Sequence, residues 1–194
     1  MVGFSMETEA ESRVTQAPEP LRLVQRFLNT ADLEAGADEL ADAAGARRWL
    51  VANRLPARGD AFGEADRELL VEVRETLRRL AHANQERRTD AAALRLLNDH
   101  AARAPLNVEL RADGAELVAA SPGVDGAVAR LLAVVFTAAR KGTWSRLKAC
   151  RNDSCRWVFY DASRNRRGTW CSMAVCGNRH NVRAFRARRS AGAV

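Results

Sequence analysis

The four cysteines are the residues whose type and spacing best fit a chemical role. They form two pairs, Cys150 with Cys155 and Cys171 with Cys176, and each pair encloses four residues. Fifteen residues separate the pairs, enough for a short strand and a turn. Two close pairs of thiolates are a ligand set for tetrahedral Zn²⁺. The spacing therefore predicts one structural zinc ion per chain, held by all four cysteines.

Two other states of the cysteines are compatible with the spacing: two redox disulfides, or four free buried thiols. Zinc is favoured because a segment this small and this poor in aliphatic residues needs a staple. The acidic, polar first 20 residues show no secretory signal, so a cytoplasmic location is expected, where clustered cysteines are more often ligands. Four thiolates fill the zinc shell, so no catalytic position is expected there.

The residues around the cysteines predict a small zinc module over residues 143–190. Residues 156–160 are strand-like, residues 161–168 are polar and turn-rich, and Thr169 and Trp170 can return toward the metal. A helix is predicted from Cys176 to about Arg189. A knuckle, a hairpin and a helix that contributes the last ligand make a treble-clef-like zinc finger.

The charge of the chain is concentrated at the same end. From Arg140 onward there are 14 Lys and Arg residues and two acids, a formal charge of +12, whereas the preceding part has 17 bases and 22 acids, a charge of −5. Such asymmetry points to a segment that faces nucleic acid. The candidate contacts are three arginines of the expected hairpin tip and three on one face of the last helix: Arg164, Arg166, Arg167, Arg179, Arg183 and Arg186.

The last helix has two predicted faces. Its basic face could lie along or in a groove of nucleic acid, while Val182 and Phe185 are expected to dock the other face onto the module. The alternative is a solvated arginine-rich helix without a partner. Trp144, Trp157 and Trp170 flank the ligands, and we expect them to form the small core of the finger rather than to stack on bases.

The rest of the chain predicts a mainly helical domain over residues 19–142, after a disordered segment at 1–18. The fold class is thus α+β. The clearest helix covers 64–86, two short helices are expected on either side of Gly45, and strands at 106–111 and 116–120 predict a small hairpin.

The longest apolar run, 131–139, is far too short for a membrane span of about 20 residues. His82, His100 and His180 lack any catalytic pattern, so no enzyme is expected.

A resemblance adds to this interpretation. Cys176-Gly177-Asn178-Arg179 is the motif that names the CGNR zinc finger family, and residues 150–167 look like that finger throughout. The family joins the finger to an N-terminal ABATE domain, which Phe27-Leu28-Asn29-Thr30 and residues 40–50 resemble. The resemblance implies a transcription regulator, and the preference for DNA over RNA comes from it alone.

The motif residues have expected physical roles. Cys176 would lie at a helix N-terminus, Gly177 would let its amide approach sulphur, and Asn178 would cap the helix. Arg179 would either neutralise the thiolates or contact phosphate.

The resulting hypothesis is a two-part regulator. Its helical domain senses an unknown ligand or binds a protein partner, and its finger contacts DNA. The alternatives are a protein-interaction adaptor, whose arginines only balance the thiolates, and an RNA-binding accessory factor.

Overall fold

The computed structural model describes residues 14–56 and 62–191. Most of the segment predicted as disordered, residues 1–13, lies outside them. Residues 14–18 are ordered, contrary to that prediction. The amide of Ala17 donates to Gln25 Oε1 (2.6 Å), and the carbonyl of Thr15 accepts from the amide of Tyr160 (3.0 Å). These bonds fix the segment against the folded body.

The part of the chain before Gly142 is mainly helical, as predicted. Its elements are α1 (Leu21–Leu28), β1 (Ala31–Asp32), β2 (Ala37–Asp38), α2 (Ala43–Ala52), α3 (Glu64–Glu86), α4 (Ala91–Arg103), β3 (Leu106–Arg111), β4 (Gly114–Ala119) and α5 (Gly123–Arg140). The short strands form two antiparallel hairpins, β1 with β2 and β3 with β4. The predicted α+β class is therefore confirmed.

Helix α3 is the centre of the packing. Its apolar positions recur every three or four residues, so Leu70, Val73 and Leu77 are all fully buried. Acidic residues in its first turn suit the positive end of the helix dipole, and Asp66 Oδ2 accepts from the amide of Gly63 (2.9 Å). Helices α1, α2, α4 and α5 all contact it.

The prediction of two short helices interrupted at Gly45 is wrong. A single helix, α2, runs through Gly45, which donates its amide to the capping carboxylate of Asp42 (2.6 Å). A Cβ at this position would lie 2.5 Å from the carbonyl oxygen of Glu39. Glycine therefore permits a close approach in the first helical turn, where its low helix propensity costs little.

The C-terminal part contains a hairpin, a cysteine cluster and a final helix. A 3₁₀ turn at Trp144–Arg146 leads into β5 (Leu147–Ala149), and β6 (Val158–Tyr160), a π-helical turn (Met173–Gly177) and α6 (Asn178–Ala191) follow. The expected return strand at Thr169 and Trp170 is replaced by β5, which pairs antiparallel with β6 across the first cysteine pair. Residues 161–168 are consequently a loop after β6 and not a hairpin tip.

The hairpin β5–β6 packs into the helical part. Leu147, Ala149 and Val158 are fully buried in the same apolar cluster as the core of α3. The side-chain amide of Asn29 accepts from the Val158 amide (2.8 Å) and donates to the Val158 carbonyl (2.9 Å), as a neighbouring strand would. Asn84 of α3 donates to the carbonyls of Trp144 and Leu147, both at 3.0 Å.

Among the described residues, none of the helices combines the length and the apolar character that a membrane crossing requires.

We expect Asn29→Ala to destabilise the protein by about 1–3 kcal/mol, because it leaves the buried Val158 amide without that partner and the Val158 carbonyl with Gln25 Nε2 alone, at 3.2 Å. The free energy of unfolding, from denaturant titration, measures the effect. The control is Asn107→Ala on the exposed face of β3, which should change stability by less than about 0.5 kcal/mol. Equal effects of the two substitutions would contradict the role given to Asn29.

Candidate metal centre and nucleic-acid interface

The structure brings the four cysteines together at the junction of β5, β6 and α6. Cys150 follows β5 directly, Cys155 precedes β6, and Cys171 and Cys176 lie on either side of the start of the π-helical turn. The four sulphur atoms all lie within 4.8 Å of one another. None of the four cysteines is in a disulfide, so the structure does not support the alternative of two redox disulfides.

The sulphur spacing fits zinc. Tetrahedral Zn²⁺ with Zn–S bonds of about 2.3 Å requires S–S edges of about 3.8 Å. The Sγ atoms of Cys155 and Cys171 are 3.7 Å apart, and those of Cys171 and Cys176 are 3.8 Å apart. The chain thus has a four-cysteine site for one structural Zn²⁺, and the soft donors exclude a preference for Mg²⁺ or Ca²⁺.

Backbone amides and one side chain support the negative charge of the sulphurs. The amides of Asn152 and Cys171 donate to the sulphur of Cys150, and that of Trp157 donates to Cys155. The side-chain amide of Asn152 reaches the sulphur of Cys176 at 3.8 Å. Such outer hydrogen bonds orient thiolates and stabilise their ionised form. Asn152 was not predicted, because its role depends on the turn that the first cysteine pair makes.

Thiols this close compete for one negative charge. Hydrogen bonds from Cys155 and then Cys171 lower the pKa of Cys150 to about 2. The bond that Cys155 donates to Cys150 raises the pKa of Cys155 to about 12, and the pKa of Cys171 is raised for the same reason. A divalent cation resolves this conflict, since every metal-bound thiol is deprotonated.

Two residues of the motif, Gly177 and Asn178, act differently from expectation. Gly177 donates its amide to the carbonyl of Ser172 (3.0 Å) and not to sulphur, and a Cβ there would meet Met173 Sδ at 2.8 Å. Asn178 is the first residue of α6 and makes no capping bond, because the π-helical turn precedes it. Arg179 pairs with Glu34 in the β1–β2 loop.

Trp157 and Trp170 belong to the small core of the finger, as expected, whereas Trp144 does not. Trp157 is buried with Cys150, Cys155 and Cys176, and Trp170 packs against the same cluster. Trp144 packs against the main core. The ring of His180 lies against Trp170 with centroids 4.9 Å apart, which ties the start of α6 to the cysteine cluster.

A buried ion pair organises the loop at 161–168. Lys148 Nζ donates to Asp161 Oδ2 (2.8 Å) and to the carbonyls of Arg166 (2.8 Å) and Gly168 (3.2 Å), so its three protons all have acceptors. Burial disfavours the Asp161 carboxylate, but hydrogen bonds from Lys148, Ser163 and Gly168 outweigh burial and lower its pKa to about 2. The feature of the sequence that could have indicated this ion pair is Asp161, one of two acids in a strongly basic segment.

The six predicted arginines lie in two separate groups. Arg164, Arg166 and Arg167 are exposed on the loop at 161–168, where Arg87, the residue directly after α3, donates to the carbonyl of Arg166 (3.2 Å). Arg179, Arg183 and Arg186 are exposed on α6. No hydrogen bond or ion pair joins the two groups within the described part of the chain.

A groove beside the cysteines adds one basic residue that the sequence did not single out. Arg179 and Arg183 line it together with Arg151, Trp170 and His180, and its volume is about 410 Å³. Arg151 belongs to the turn between the first two cysteines, so only the closed cluster reveals that it faces α6.

The docking predicted for Val182 and Phe185 does not occur. Val182 is 40% exposed and Phe185 is 54% exposed. Helix α6 is held near its N-terminal end by Cys176, by His180 on Trp170 and by the pair of Arg179 with Glu34. Beyond these contacts the helix projects from the body.

We expect purified protein to contain one zinc ion per chain by elemental analysis, and Cys171→Ser to remove it. Hydrogen exchange should then lose protection at 150–157 and 169–189, because structural zinc supplies on the order of 10 kcal/mol. Helices α3 and α5 should stay protected by their own core. The control is Ser154→Ala on the exposed knuckle, which should keep zinc. Loss of protection throughout α3 would instead mean a single cooperative unit.

Two family models match the chain. Residues 146–189 match the CGNR zinc finger, and residues 21–141 match the ABATE family, whose description is "Putative stress-induced transcription regulator". Neither is a catalytic family. No curated protein matches the chain. The ABATE match covers more than half of the chain, and the finger match begins at Arg146, directly before β5. The chain therefore belongs to the ABATE family and carries a C-terminal CGNR zinc finger with one structural Zn²⁺.

Proposed function

We propose that the chain is a DNA-binding transcription regulator that acts in the cytoplasm. Residues 143–190 contact DNA, and residues 19–142 bind a ligand or a partner. The observation that carries this proposal is the state of the arginines in the zinc module. Arg164, Arg166, Arg167, Arg183 and Arg186 are exposed, and none has a carboxylate partner among the described residues.

The content of acids strengthens the argument: the part of the chain before Arg140 has 22 acids for 17 bases, so several of its arginines have a carboxylate partner. There, Arg67, Arg74 and Arg79 each bind a carboxylate, at 2.5, 2.6 and 3.0 Å. The last quarter of the chain has only two acids, and the buried one serves Lys148. Guanidinium groups without internal partners suit bidentate contacts to phosphate. A polyanion would supply the counter-charge that this segment lacks.

The groove beside the zinc site fits the same role. Arg151, Arg179 and Arg183 surround it, and Trp170 and His180 supply flat rings. Rigid support from the zinc cluster would hold these arginines in place without further ordering. The basic side chains of the groove suit an anion, and Ser154, which also lines it, donates its hydroxyl to Asn152 and makes no hydrogen bond with His180. We therefore infer that the protein binds rather than catalyses.

The second candidate is a protein-interaction adaptor. Its support is the exposure of Val182 and Phe185 on α6. An RNA-binding factor would use the same arginines as a DNA-binding one. Binding measurements separate all three.

We expect the quadruple substitution of Arg166, Arg167, Arg183 and Arg186 by Ala to weaken binding to duplex DNA. The slope of log affinity against log salt should flatten by about 0.9 for each phosphate that the variant no longer neutralises. Fluorescence anisotropy at several salt concentrations measures both the affinity and the slope. Zinc content should stay at the parent level.

The matched control replaces Arg47, Arg48, Arg95 and Arg103, four exposed arginines of α2 and α4, and so removes the same charge. It should leave the slope nearly unchanged. Equal behaviour of the two quadruple variants would favour the adaptor. Tighter binding of RNA than of DNA at equal salt would favour the accessory factor.

Glu34 occupies one of the proposed contacts. Its carboxylate pairs with Arg179, whose side chain is about half exposed. We expect Glu34→Gln to raise affinity for DNA about two- to fivefold, because a surface ion pair is worth up to about 1 kcal/mol. Glu109→Gln on β3 removes the same charge elsewhere and serves as the control. If both variants gain equally, the effect is general charge and Arg179 makes no contact.

A further inference from the structure

A cleft between the helical part and the zinc module has the properties of a ligand site. Its volume is about 720 Å³, within the range of about 300–1,000 Å³ that holds small molecules. One wall is α3, the second is the β1–β2 hairpin, and Ala149 and Arg156 of the zinc module form the third. Arg74, Arg78, Arg79 and Arg88 line it, and His82 does too.

Two buried arginines of the cleft differ in their partners. Arg74 binds Asp38 through both terminal nitrogens, at 2.6 and 2.9 Å. Arg78, one turn later and 6% exposed, has no such carboxylate. It donates to the carbonyls of Leu28 and Ala31.

The nearest acid to Arg78 is Glu75, at 3.5 Å, and Glu75 is shared with Arg74. The Nε atom of Arg78 is buried without any hydrogen-bond partner. A buried guanidinium with so little compensation is costly unless an anion completes it.

The other charges of the cleft are already engaged. Asp90 binds Arg79 (3.0 Å), and Asp32 accepts from the amides of its own loop at Glu34 and Ala35 (2.9 and 3.0 Å). Arg88 and Arg156 pair with Glu86 and Asp153. Arg78 is therefore the cation of the cleft that is least compensated among the described residues.

The titration behaviour agrees with the geometry. Burial opposes the charge of both guanidinium groups. For Arg74 burial is outweighed by the hydrogen bonds and charges of Asp38 and Glu75 together, and the pKa rises above the usual value. For Arg78 burial prevails over Glu75, and the pKa falls.

We propose that this cleft binds a small organic anion whose carboxylate or phosphate group pairs with Arg78. The rest of the lining determines which chemical groups the remainder of the ligand can have. Ala31, Leu33, Ala37 and Ala149 give an apolar surface large enough for a small ring or a short chain. This assignment gives a ligand class to the helical part of the proposed regulator, so it rests on the proposed function only for its biological meaning.

A consequence follows from the hairpin wall. The β1–β2 loop lines the cleft with Leu33 and Gly36 and also holds Arg179 through Glu34. A ligand that bridges Arg78 and this loop stabilises the arrangement in which Glu34 occupies Arg179. The anion is then expected to weaken DNA binding, and the effect should disappear in Glu34→Gln.

The test is calorimetric titration of the zinc-loaded protein, without nucleic acid, with three probes that share a phenyl ring. Benzoate carries a carboxylate, phenyl phosphate a phosphate, and benzamide no charge. We expect at least one anion to bind and benzamide not to bind, and the better anion identifies the head group. Failure of both anions, or equal binding of benzamide, overturns the proposal.

Variants locate the site. Arg78→Gln should weaken the anion about tenfold or more, and circular dichroism checks that it folds. A second variant keeps the test decisive if Arg78→Gln does not fold. Ala37→Phe narrows the cleft without removing a buried group, and it should weaken binding of the anion to a similar extent. Controls are Arg47→Gln on α2 and Ala35→Phe, which is in the same loop but outside the lining. Parent-like binding by folded Arg78→Gln, or by Ala37→Phe, overturns the assignment.

The coupling is measured separately, as DNA affinity with and without the anion at equal ionic strength. The coupling is supported if the anion lowers DNA affinity in the parent but not in Glu34→Gln. It is contradicted if the anion leaves the DNA affinity of the parent unchanged or raises it. If the protein binds no DNA at all, the proposed function fails while the anion titration still decides the cleft.

Discussion

The position of the last helix depends on four sulphur atoms that approach one another. Cys171 and Cys176 lie in a segment with almost no buried apolar side chains, and Val182 and Phe185 of α6 remain exposed. Burial alone cannot hold such a segment, because it supplies only about 25 cal/mol for each Å² of apolar surface removed from water. A cation with tetrahedral coordination joins the segment to the knuckle at Cys150 and Cys155. The metal thereby decides where the arginines of α6 lie.

The other half of the module is held by ordinary packing. Strands β5 and β6 bury Leu147, Ala149 and Val158 against α3, and Asn29 completes the edge of β6. The knuckle therefore has a fixed orientation relative to the helical part, although the zinc ligands all come from one end of the chain. This arrangement creates the cleft next to α3, because Ala149 and Arg156 close a space that the helices leave open. A finger on a flexible linker would form no such wall.

The sequence predicted features that depend on neighbours along the chain. Helix α3 and the cysteine cluster were both predicted correctly, because apolar periodicity and ligand spacing are local signals. The pairing of β5 with β6 was missed because the two strands enclose the first cysteine pair, and only closure of the cluster aligns them. In the sequence Lys148 contributes only to the basic charge of the segment, yet it is buried beneath the loop at 161–168. Val182 and Phe185 have the spacing of a docked face, but spacing does not reveal whether a partner surface exists.

The distribution of counter-charges separates the two halves of the chain. In the helical part, Arg74 and Arg79 have carboxylates on facing elements, and such pairs specify the packing of α3 against β2 and α4. In the zinc module, the one buried acid neutralises a buried lysine, and Arg179 pairs with Glu34. The other arginines of α6 and of the loop at 161–168 have no carboxylate partner among the described residues and repel one another. Zinc with four thiolates offsets only about two positive charges, by ligand counting. The electric field of the positive charge that remains extends over about a Debye length, near 10 Å at 0.1 M salt. The arginines that produce it lie on a surface that the fold leaves uncovered. A partner that brings regularly spaced negative charge relieves this repulsion, whereas an apolar partner on Val182 and Phe185 leaves it in place. The electrostatics therefore favour a polyanion over a neutral protein as the ligand of the finger.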